Sequence, residues 1–494
     1  MSERPQGINF IRQATVVSRL SRALPRESVR YAQEDTRPYE TDGLSAYRQL
    51  PMVVALPANE DEVGAVLRIC HELRVPVVAR GAGTGLSGGA LPLGDGVLLS
   101  LAKMMKIISV DAVARTARVQ PGVRNLAISE AAAPLGLYYA PDPSSQIACT
   151  IGGNVAENSG GVHCLKYGLT VHNVLRVRGF SIEGDLLEFG SEALDAPGFD
   201  LLALVHGSEG MLAVITEITV KLLPMPDVAR CVMASFGRVE DAGNAVAAVI
   251  GAGIIPAGLE MMDRPATRAV EEFVHAGYDL DAAAILLAEC DGTAAEVSED
   301  LKRIEDVLRA AGATSVRVSR DEAERLRFWS GRKAAFPAVG RISPDYYCMD
   351  GTIPRKRLGE ILLFIGEMER KYGLRCPNVF HAGDGNLHPL ILFDANSADE
   401  LARTEAFANE VLLKCIALGG TITGEHGVGI EKINQMCMQF QPAELEVFRS
   451  LKRAFDPLEL LNPAKNIPSL RRCAEFGAMH VKGGALPHPE LPRF

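Results

Sequence analysis

Apolar residues recur over residues 59–73 at the spacing of one helix face, which includes Val63, Val66 and Cys70. Asn59 followed by Glu62 is typical of a capping box, so we predict that a helix begins there. A second helix is predicted over residues 125–135. Shorter apolar runs predict strands at residues 75–79, 97–101, 114–119 and 212–222. The first half of the chain therefore mixes strands and helices in one lobe.

Pro224 and Pro226 interrupt this pattern, and we place a domain boundary there. Beyond them, strands predicted at residues 232–236, 283–289 and 314–318 alternate with helices predicted at residues 239–252, 294–311, 321–335 and 356–372. This order predicts a smaller domain built on an antiparallel sheet, and hence an α+β protein. The predicted organisation is an N-terminal helical segment (1–47), a first domain (48–226), a second domain (227–430) and a C-terminal helical segment that returns to the first domain (431–494).

Composition and charge narrow the class of protein. A chain of 494 residues is too long for a single hydrophobic core, which agrees with two or three lobes. The formal net charge of −10 repels nucleic acids and anionic lipid headgroups, so neither is expected as a partner. No apolar run approaches the roughly 20 residues of a membrane-spanning helix. We expect a cytoplasmic protein that reaches the inner membrane only through partner subunits.

A glycine-rich loop follows the strand predicted at residues 75–79 and runs from Arg80 to Gly89. It contains the pattern G-x-G-x-x-G, but a nicotinamide-dinucleotide site needs a helix to begin at the third glycine. Pro92 and the following glycines exclude that helix. The loop is better suited to present backbone N–H groups to a phosphate, with the hydroxyls of Thr84 and Ser87 as further donors. The alternative is a surface turn.

Two further glycine clusters follow at residues 150–161 and 207–210. Taken alone, the first cluster is as compatible with tight turns as with a ligand site, and the second is more typical of a turn. Three such loops in one lobe favour a long, thin, polar ligand that lies close to the backbone.

Together with residues 141–144, these loops resemble, in order and spacing, the FAD-binding domain of the vanillyl-alcohol oxidase (PCMH-type) flavoproteins, over about residues 48 to 226. The resemblance implies a two-lobed FAD-binding domain whose first loop holds the pyrophosphate. Many members attach the flavin through a histidine in that loop, where this chain has Thr84, so we expect non-covalent FAD. The residues that the resemblance assigns to FAD are Arg80, Gly81, Ala82, Gly83, Thr84, Gly85, Ser87, Gly88, Pro141, Asp142, Ser144, Thr150, Gly152, Gly153, Asn154, Asn158, Ser159, Gly160, Glu209, Gly210, Ile215 and Asn462.

Histidines and a carboxylate form a second group of candidate residues. His381 and His388 flank the turn sequence Gly-Asp-Gly-Asn, so their side chains are able to converge. With Glu425 they make a plausible ligand set for a divalent metal, which leaves the neighbouring His426 free as a base. The alternative is that each histidine caps a turn or bonds to the backbone. Asp384, between two glycines, is expected to form the turn.

These two motifs resemble the 2-hydroxy-acid dehydrogenase group of the same flavoproteins. The resemblance is strongest to the flavin subunits of glycolate oxidases and covers nearly the whole chain, including residues 37–43, 329–335, 346–350 and 461–465. It implies a metal, often zinc, on His381, His388 and Glu425, with His426 as the catalytic base. It also implies a separate iron–sulfur subunit and a second flavin-type subunit as partners. The absence of any C-x-x-C pair in this chain agrees with a separate iron–sulfur subunit.

The carboxylate of an acid substrate needs a cation, and four candidates lie on the helix predicted at residues 321–335. They are Arg325, Arg327, Arg332 and Lys333. Spacing does not choose among them, whereas the family resemblance points to Arg332. Where a relative has threonine and lysine near the carboxylate, this chain offers Phe336 and either Tyr347 or Cys348, and we expect Tyr347 to contact substrate. A pocket of lower polarity suits a short acid.

The expected function is FAD-dependent oxidation of a small 2-hydroxy acid, with glycolate as the first candidate. D-lactate and D-2-hydroxyglutarate dehydrogenases share these motifs and remain alternatives. Two alternatives from other classes are a metal-dependent hydrolase that uses His381, His388 and Glu425 without flavin, and a flavin-binding subunit without activity.

Overall fold

Two lobes, each with its own hydrophobic core, make up the part of the chain that the computed structural model describes, residues 9–193 and 198–468. The strands are β1 Val29–Arg30, β2 Val53–Ala55, β3 Val77–Arg80, β4 Val97–Ser100, β5 Ile107–Asp111, β6 Thr116–Val119, β7 Leu137–Tyr138, β8 Val174–Phe180, β9 Leu186–Gly190, β10 Val214–Lys221, β11 Leu223–Pro224, β12 Val228–Phe236, β13 Gly258–Asp263, β14 Ala284–Gly292, β15 Ala313–Val318, β16 Asp345–Cys348, β17 Asn378–His381 and β18 Asn386–Phe393.

The α-helices begin and end as follows: α1 Phe10–Leu20, α2 Gln33–Thr36, α3 Glu60–Glu72, α4 Asn125–Ala132, α5 Ile151–Glu157, α6 Cys164–Tyr167, α7 Thr170–Asn173, α8 Leu201–Val205, α9 Val239–Gly251, α10 Arg264–Val274, α11 Ala294–Ala310, α12 Glu322–Lys333, α13 Ala335–Val339, α14 Leu358–Tyr372, α15 Ala398–Ala417, α16 Ile433–Gln439 and α17 Pro442–Phe455. Within residues 9–193 and 198–468, no helix is both long and apolar enough to cross a membrane.

The first lobe combines a four-stranded sheet, in the order β1-β2-β4-β3, with a five-stranded antiparallel sheet, in the order β5-β6-β10-β8-β9. Helix α3 begins as its cap predicts, since the Asn59 side chain accepts a hydrogen bond from the Glu62 N–H at 3.0 Å. Its buried residues Val66 and Cys70 pack on the four-stranded sheet. Residues 81–96 contain no helix and lead directly into β4, so the glycine loop connects two strands as predicted.

The second lobe is a seven-stranded antiparallel sheet in the order β15-β12-β14-β13-β17-β18-β16. Successive side chains of a strand point to opposite faces. On β12, Val232 and Phe236 therefore pack with helices α9, α11, α14 and α15, whereas Met233 packs with α10, α12 and α13. Helices cover both faces, which explains why the strands are apolar over their full length. The predicted antiparallel sheet and the α+β class are confirmed.

A partly buried ionic contact joins the two lobes. His163, just before α6, places Nδ1 2.8 Å from Asp142 Oδ2 and Nε2 3.2 Å from Glu289 Oε1 on β14. Burial alone lowers the pKa of His163, but the two facing carboxylates outweigh it and raise the pKa well above its ordinary value. The charged imidazole therefore links the first lobe to the sheet of the second.

The C-terminal segment returns to the first lobe. Residue Leu461 forms a parallel bridge with Val77 at the edge of the four-stranded sheet. Asn462 Nδ2 donates to the carbonyl oxygen of Gly89 at 3.0 Å, and Lys465 Nζ donates to the same oxygen at 2.8 Å. These bonds support the glycine loop from behind.

Candidate active site

A cavity of about 460 Å³ lies between the lobes and takes its walls from both. The glycine loops of the first lobe form most of it. Its other end is formed by Lys333, Phe336, Pro337, Tyr346, His388, Glu425 and His426. The two candidate sites of the sequence, one built on glycines and the other on histidines, thus open into one space.

Glycine is required at the points where the loops meet. A Cβ added at Gly81 would overlap the hydroxyl oxygen of Thr150, and one added at Gly152 would lie 2.6 Å from Cβ of Pro121. Gly83 has a φ of +72°, which is unfavourable for residues with a Cβ. The loops are therefore close to one another, and their backbones are exposed to the cavity. This is the surface that a dinucleotide with two phosphates needs.

Arg80 supplies the positive charge at the end of the cavity that the glycine loops form. Its guanidinium donates to the carbonyl oxygen of Thr41 at 2.6 Å and makes no ion pair with any described residue. Burial lowers the pKa of Arg80 from its ordinary value, which shows that the charge is partly desolvated. A phosphate in the cavity would compensate for that cost.

The residues assigned to FAD by family resemblance divide into two groups. The cavity wall contains Arg80, Gly81, Ala82, Gly83, Thr84, Gly85, Ser144, Thr150, Gly152, Gly153, Asn154, Ser159, Glu209, Gly210 and Ile215. The wall does not contain Ser87, Gly88, Pro141, Asp142, Asn158, Gly160 and Asn462.

Residues of the second group have other partners, which explains their positions. The carbonyl of Ser87 accepts from the N–H of Ile430 at 3.0 Å, and Asp142 binds His163. Asn158 caps the N–H of Val171 at 3.0 Å. These residues shape the loops from behind the wall.

We predict that Gly81→Ala weakens FAD binding about ten- to a hundredfold, because overpacking of this kind costs about 1–3 kcal/mol. Thr150→Ala removes the obstructing hydroxyl, so the double variant is expected to bind FAD as tightly as Thr150→Ala alone. Gly251→Ala, which has open space around its Cβ, is the matched control. The measurement is the dissociation constant of FAD by fluorescence. If the double variant binds no better than Gly81→Ala, the steric explanation is wrong.

The histidine end is built on the β17–β18 hairpin. His381 pairs with Asn386, and His388 lies opposite Val379, so the two histidines are diagonal neighbours on one face of the sheet. Their ring centres are 4.9 Å apart. Asp384 Oδ1 accepts from the Asn386 N–H at 3.0 Å, which is the turn-forming contact that the sequence predicts.

Glu425 faces both histidines. Its Oε1 lies 3.2 Å from Nε2 of His381 and 3.2 Å from Nε2 of His388, yet neither nitrogen forms an aligned hydrogen bond. Burial raises the pKa of Glu425, but the two imidazoles outweigh it and hold the pKa well below its usual range. The carboxylate and the two imidazole nitrogens converge on a common position, as the ligands of a metal do.

Glu260 on β13 orients the first of these histidines. His381 Nδ1 lies 2.8 Å from Glu260 Oε1, which directs Nε2 at Glu425. Burial alone lowers the pKa of His381, but the facing Glu260 and Glu425 outweigh it and raise the pKa well above its ordinary value. Arg332 Nε in turn donates to Glu260 Oε2 at 2.6 Å. A carboxylate behind a metal-binding histidine is a common arrangement, because it fixes the tautomer and raises the basicity of the ligand. Sequence reasoning missed Glu260, since nothing near it in the chain marks it.

His426 lies beside this group and lines the cavity. Its ring is stacked on that of His388, with centres 4.9 Å apart and planes at 10°. Its Nδ1 is buried without a partner among the described residues. Burial lowers the pKa of His426 to about 4, so the ring is neutral at pH 7 and able to accept a proton.

Asp350, at the end of β16, holds the segment that carries Glu425 and His426. Its carboxylate accepts from the N–H groups of Gly424, Glu425 and His426 at 3.0, 3.1 and 2.9 Å. The buried Lys432 Nζ lies 3.1 Å away. Burial raises the pKa of Asp350, but the facing His426 and Lys432 outweigh it and hold the pKa well below its usual range. The sequence around Asp350 does not indicate this role.

We predict that Asp350→Asn destabilises the protein by about 3–5 kcal/mol, because it removes one of the two carboxylates that are paired with the buried Lys432. Activity is expected to fall at least about tenfold, since the amide no longer accepts all three backbone bonds. Asp345→Asn on the same strand is the control, because that side chain accepts a single backbone bond, from Ala395. Thermal unfolding and flavin reduction are the measurements. Equal stability of the two variants would contradict the assigned role.

Two residues expected at the substrate lie elsewhere. Arg332 is fully buried, bonded to Glu260, and does not line the cavity. Tyr347 is buried on the opposite face of β16, beside Tyr47, and does not line it either. The neighbouring Tyr346 does, because adjacent strand residues point to opposite faces. The structure therefore places neither Arg332 nor Tyr347 in the wall of the cavity.

The fold and the cavity define a flavin-dependent oxidoreductase. Residues 51–190 match the model of the FAD binding domain, and residues 225–466 match that of the C-terminal domain of FAD linked oxidases. The chain belongs to the FAD-linked oxidase family.

Named relatives cover almost the whole chain. It is 62% identical to the glycolate oxidase subunit GlcD of Escherichia coli K12, over 98% of this chain and 97% of that protein. It is 32% identical to a D-lactate dehydrogenase of Anaerostipes hadrus, over 84% of this chain and 89% of that protein. The fold is similar to that of p-cresol methylhydroxylase with substrate bound, with a TM-score of 0.80 and 17% identity, over 94% of this chain and 99% of the other. The predicted PCMH-type fold is confirmed.

Proposed function

We propose that this protein oxidises a short 2-hydroxy acid to the 2-oxo acid, with glycolate as the first substrate and FAD as the electron acceptor. The supporting observation is that one cavity connects the glycine loops and Arg80 to His388, Glu425 and His426. A dinucleotide held by the loops would extend toward the histidines. The relative from Escherichia coli, which bears the name glycolate oxidase subunit, supports the choice of substrate.

The residues at the histidine end have distinct proposed roles. His426, neutral and facing the cavity, accepts the proton of the substrate hydroxyl. Asp350 fixes the backbone that carries His426, so that the imidazole needs no reorganisation during the reaction. When bound, the flavin accepts the hydride from the carbon that carries the hydroxyl.

We further propose a divalent metal, zinc or similar, on His381, His388 and Glu425. The fit rests on the two Nε2 atoms that converge on Glu425, the ionised carboxylate of Glu425 and the orienting contact between His381 and Glu260. When bound there, the metal would act as a Lewis acid toward the substrate hydroxyl.

The walls of the histidine end favour a small substrate. Phe336 and Tyr346 contact each other, with ring centres 5.8 Å apart, and Phe336 also lies against His388. Both rings line the cavity and make this part of its wall apolar, which does not favour the second carboxylate of D-2-hydroxyglutarate. D-Lactate is the second candidate, supported by the 32% identical relative.

The proposal extends to partners and location. The Escherichia coli relative is named as a subunit of glycolate oxidase, which supports a multi-subunit complex. We propose an iron–sulfur subunit and a second flavin-type subunit, with the complex in the cytoplasm or at the inner membrane through those subunits. We propose that FAD is bound non-covalently, because Thr84 stands in the loop where a covalent histidine would be.

The test is anaerobic reduction of the purified yellow protein by glycolate, D-lactate, L-lactate and D-2-hydroxyglutarate, followed at the visible flavin bands. Rapid bleaching by glycolate supports the proposal. A colourless protein would point to the hydrolase alternative, and a yellow protein that no hydroxy acid bleaches would point to a flavin-binding subunit without activity.

A further inference from the structure

Helix α12 carries four basic residues, and three of them already have carboxylate partners. Arg325 lies 2.7 Å from Glu289 and 2.6 Å from Glu322. Arg327 lies 3.0 Å from Glu324. Arg332 lies 2.6 Å from Glu260 and is fully buried. The charges of these three guanidinium groups are therefore already paired with carboxylates of the protein.

Lys333 is the fourth basic residue, and it differs from the other three because it has no carboxylate partner and faces the cavity. Its side chain is exposed and forms no hydrogen bond or ion pair with any described residue. It also lines the cavity at the end that contains His388, Glu425 and His426. An ammonium group on a flexible stem is therefore free to bind an anion that enters there.

The charge of the cavity makes such a cation necessary. The whole chain has a formal net charge of −10, and Glu157, Glu209 and Glu425 all line this cavity. Among the described residues of the cavity wall, two are lysine or arginine, namely Arg80 and Lys333. Arg80 belongs to the glycine end, where phosphates are expected. A carboxylate at the histidine end thus has Lys333 as its available partner.

We propose that Lys333 binds the carboxylate of the 2-hydroxy acid, whereas Arg332 acts as a positioning residue that holds Glu260 against His381. This inference rests on the proposed function of the same site. It accounts for the buried position of Arg332, and it divides binding and orientation between two adjacent residues of one helix.

The experiment compares Lys333→Gln, Lys333→Arg and Arg327→Gln in the FAD-loaded enzyme. Lys333→Gln is expected to raise KM for glycolate at least tenfold, because it removes one charge-assisted hydrogen bond, while kcat stays within about threefold. Lys333→Arg is expected to keep most of the affinity. Arg327→Gln, on the outer face of the same helix, is the matched control and should leave KM unchanged. Calorimetric titration with oxalate, a dicarboxylate that contains no oxidisable carbon–hydrogen bond, provides a second readout of binding.

Unchanged KM and unchanged oxalate affinity in Lys333→Gln would overturn the assignment even though the wild-type enzyme is active. Arg332→Lys provides the opposite test. If it raises KM without losing metal, and Lys333→Gln behaves as the wild-type enzyme does, Arg332 binds the substrate carboxylate instead. Failure of the wild-type protein to be reduced by any 2-hydroxy acid would overturn the proposed function together with this inference, so the two failures are distinguishable.

Discussion

Replacing His426 by Asn is expected to slow flavin reduction by glycolate about 10²- to 10⁴-fold, the usual contribution of a general base, while the protein stays yellow. His426 is the neutral imidazole that faces the cavity, and its Nδ1 has no partner among the described residues. Asparagine cannot take up a proton, and it leaves the backbone bond from residue 426 to Asp350 in place. The measurements are the stopped-flow rate of bleaching and the FAD content per chain.

His275→Asn is the matched control for this variant. His275 is exposed at the end of α10 with a φ of +53°, a conformation that asparagine adopts readily. It should reduce its flavin at the wild-type rate. If His426→Asn reacts as fast as this control, another group removes the proton and the assigned base is wrong.

Replacing Glu425 by Gln is expected to remove the proposed metal and to lower the rate of flavin reduction at least about a hundredfold. Glu425 is the only anionic member of the ligand group with His381 and His388, and glutamine keeps its shape without its charge. Metal content is measured by elemental analysis of the purified protein. The wild-type protein is expected to contain about one divalent ion per chain and to lose activity when a chelator removes it.

Asp384→Asn controls for a change of charge near the two histidines. Asp384 lies between them in sequence but bonds to the turn at Asn386, and asparagine can make the same bond. It should keep its metal and most of its activity. A wild-type protein that contains no stoichiometric metal, yet reduces its flavin at full rate, would refute the metal proposal and leave that of His426 intact.

The features that sequence reasoning predicted are local ones. The helix at Asn59, the strand–loop–strand at the first glycine loop and the hairpin of His381 and His388 each depend on residues within about ten positions of one another. A turn sequence between two apolar runs brings its flanking histidines together wherever the hairpin packs. The family resemblance added the pairing of these loops with Glu425 and FAD.

The features that sequence reasoning missed depend on contacts between residues that lie far apart in the sequence. Glu260 reaches His381 across 121 positions, and Asp350 reaches His426 across 76. Whether Arg332 or Lys333 faces the cavity depends on how α12 is rotated against β13, which is decided by packing and by the bond to Glu260. A hydrophobic period locates a helix face only to within a fraction of a turn, so adjacent residues on α12 could not be separated by sequence alone.

The support of the first glycine loop by Asn462 and Lys465 has a consequence for biosynthesis. The bonds from these side chains to the carbonyl of Gly89 span 373 and 376 residues. After the first lobe has left the ribosome, every strand of the second lobe must still be translated before the loop gains this support. The glycine loop thus gains this support only after the whole second lobe has been synthesised, including the segments that carry His388 and His426.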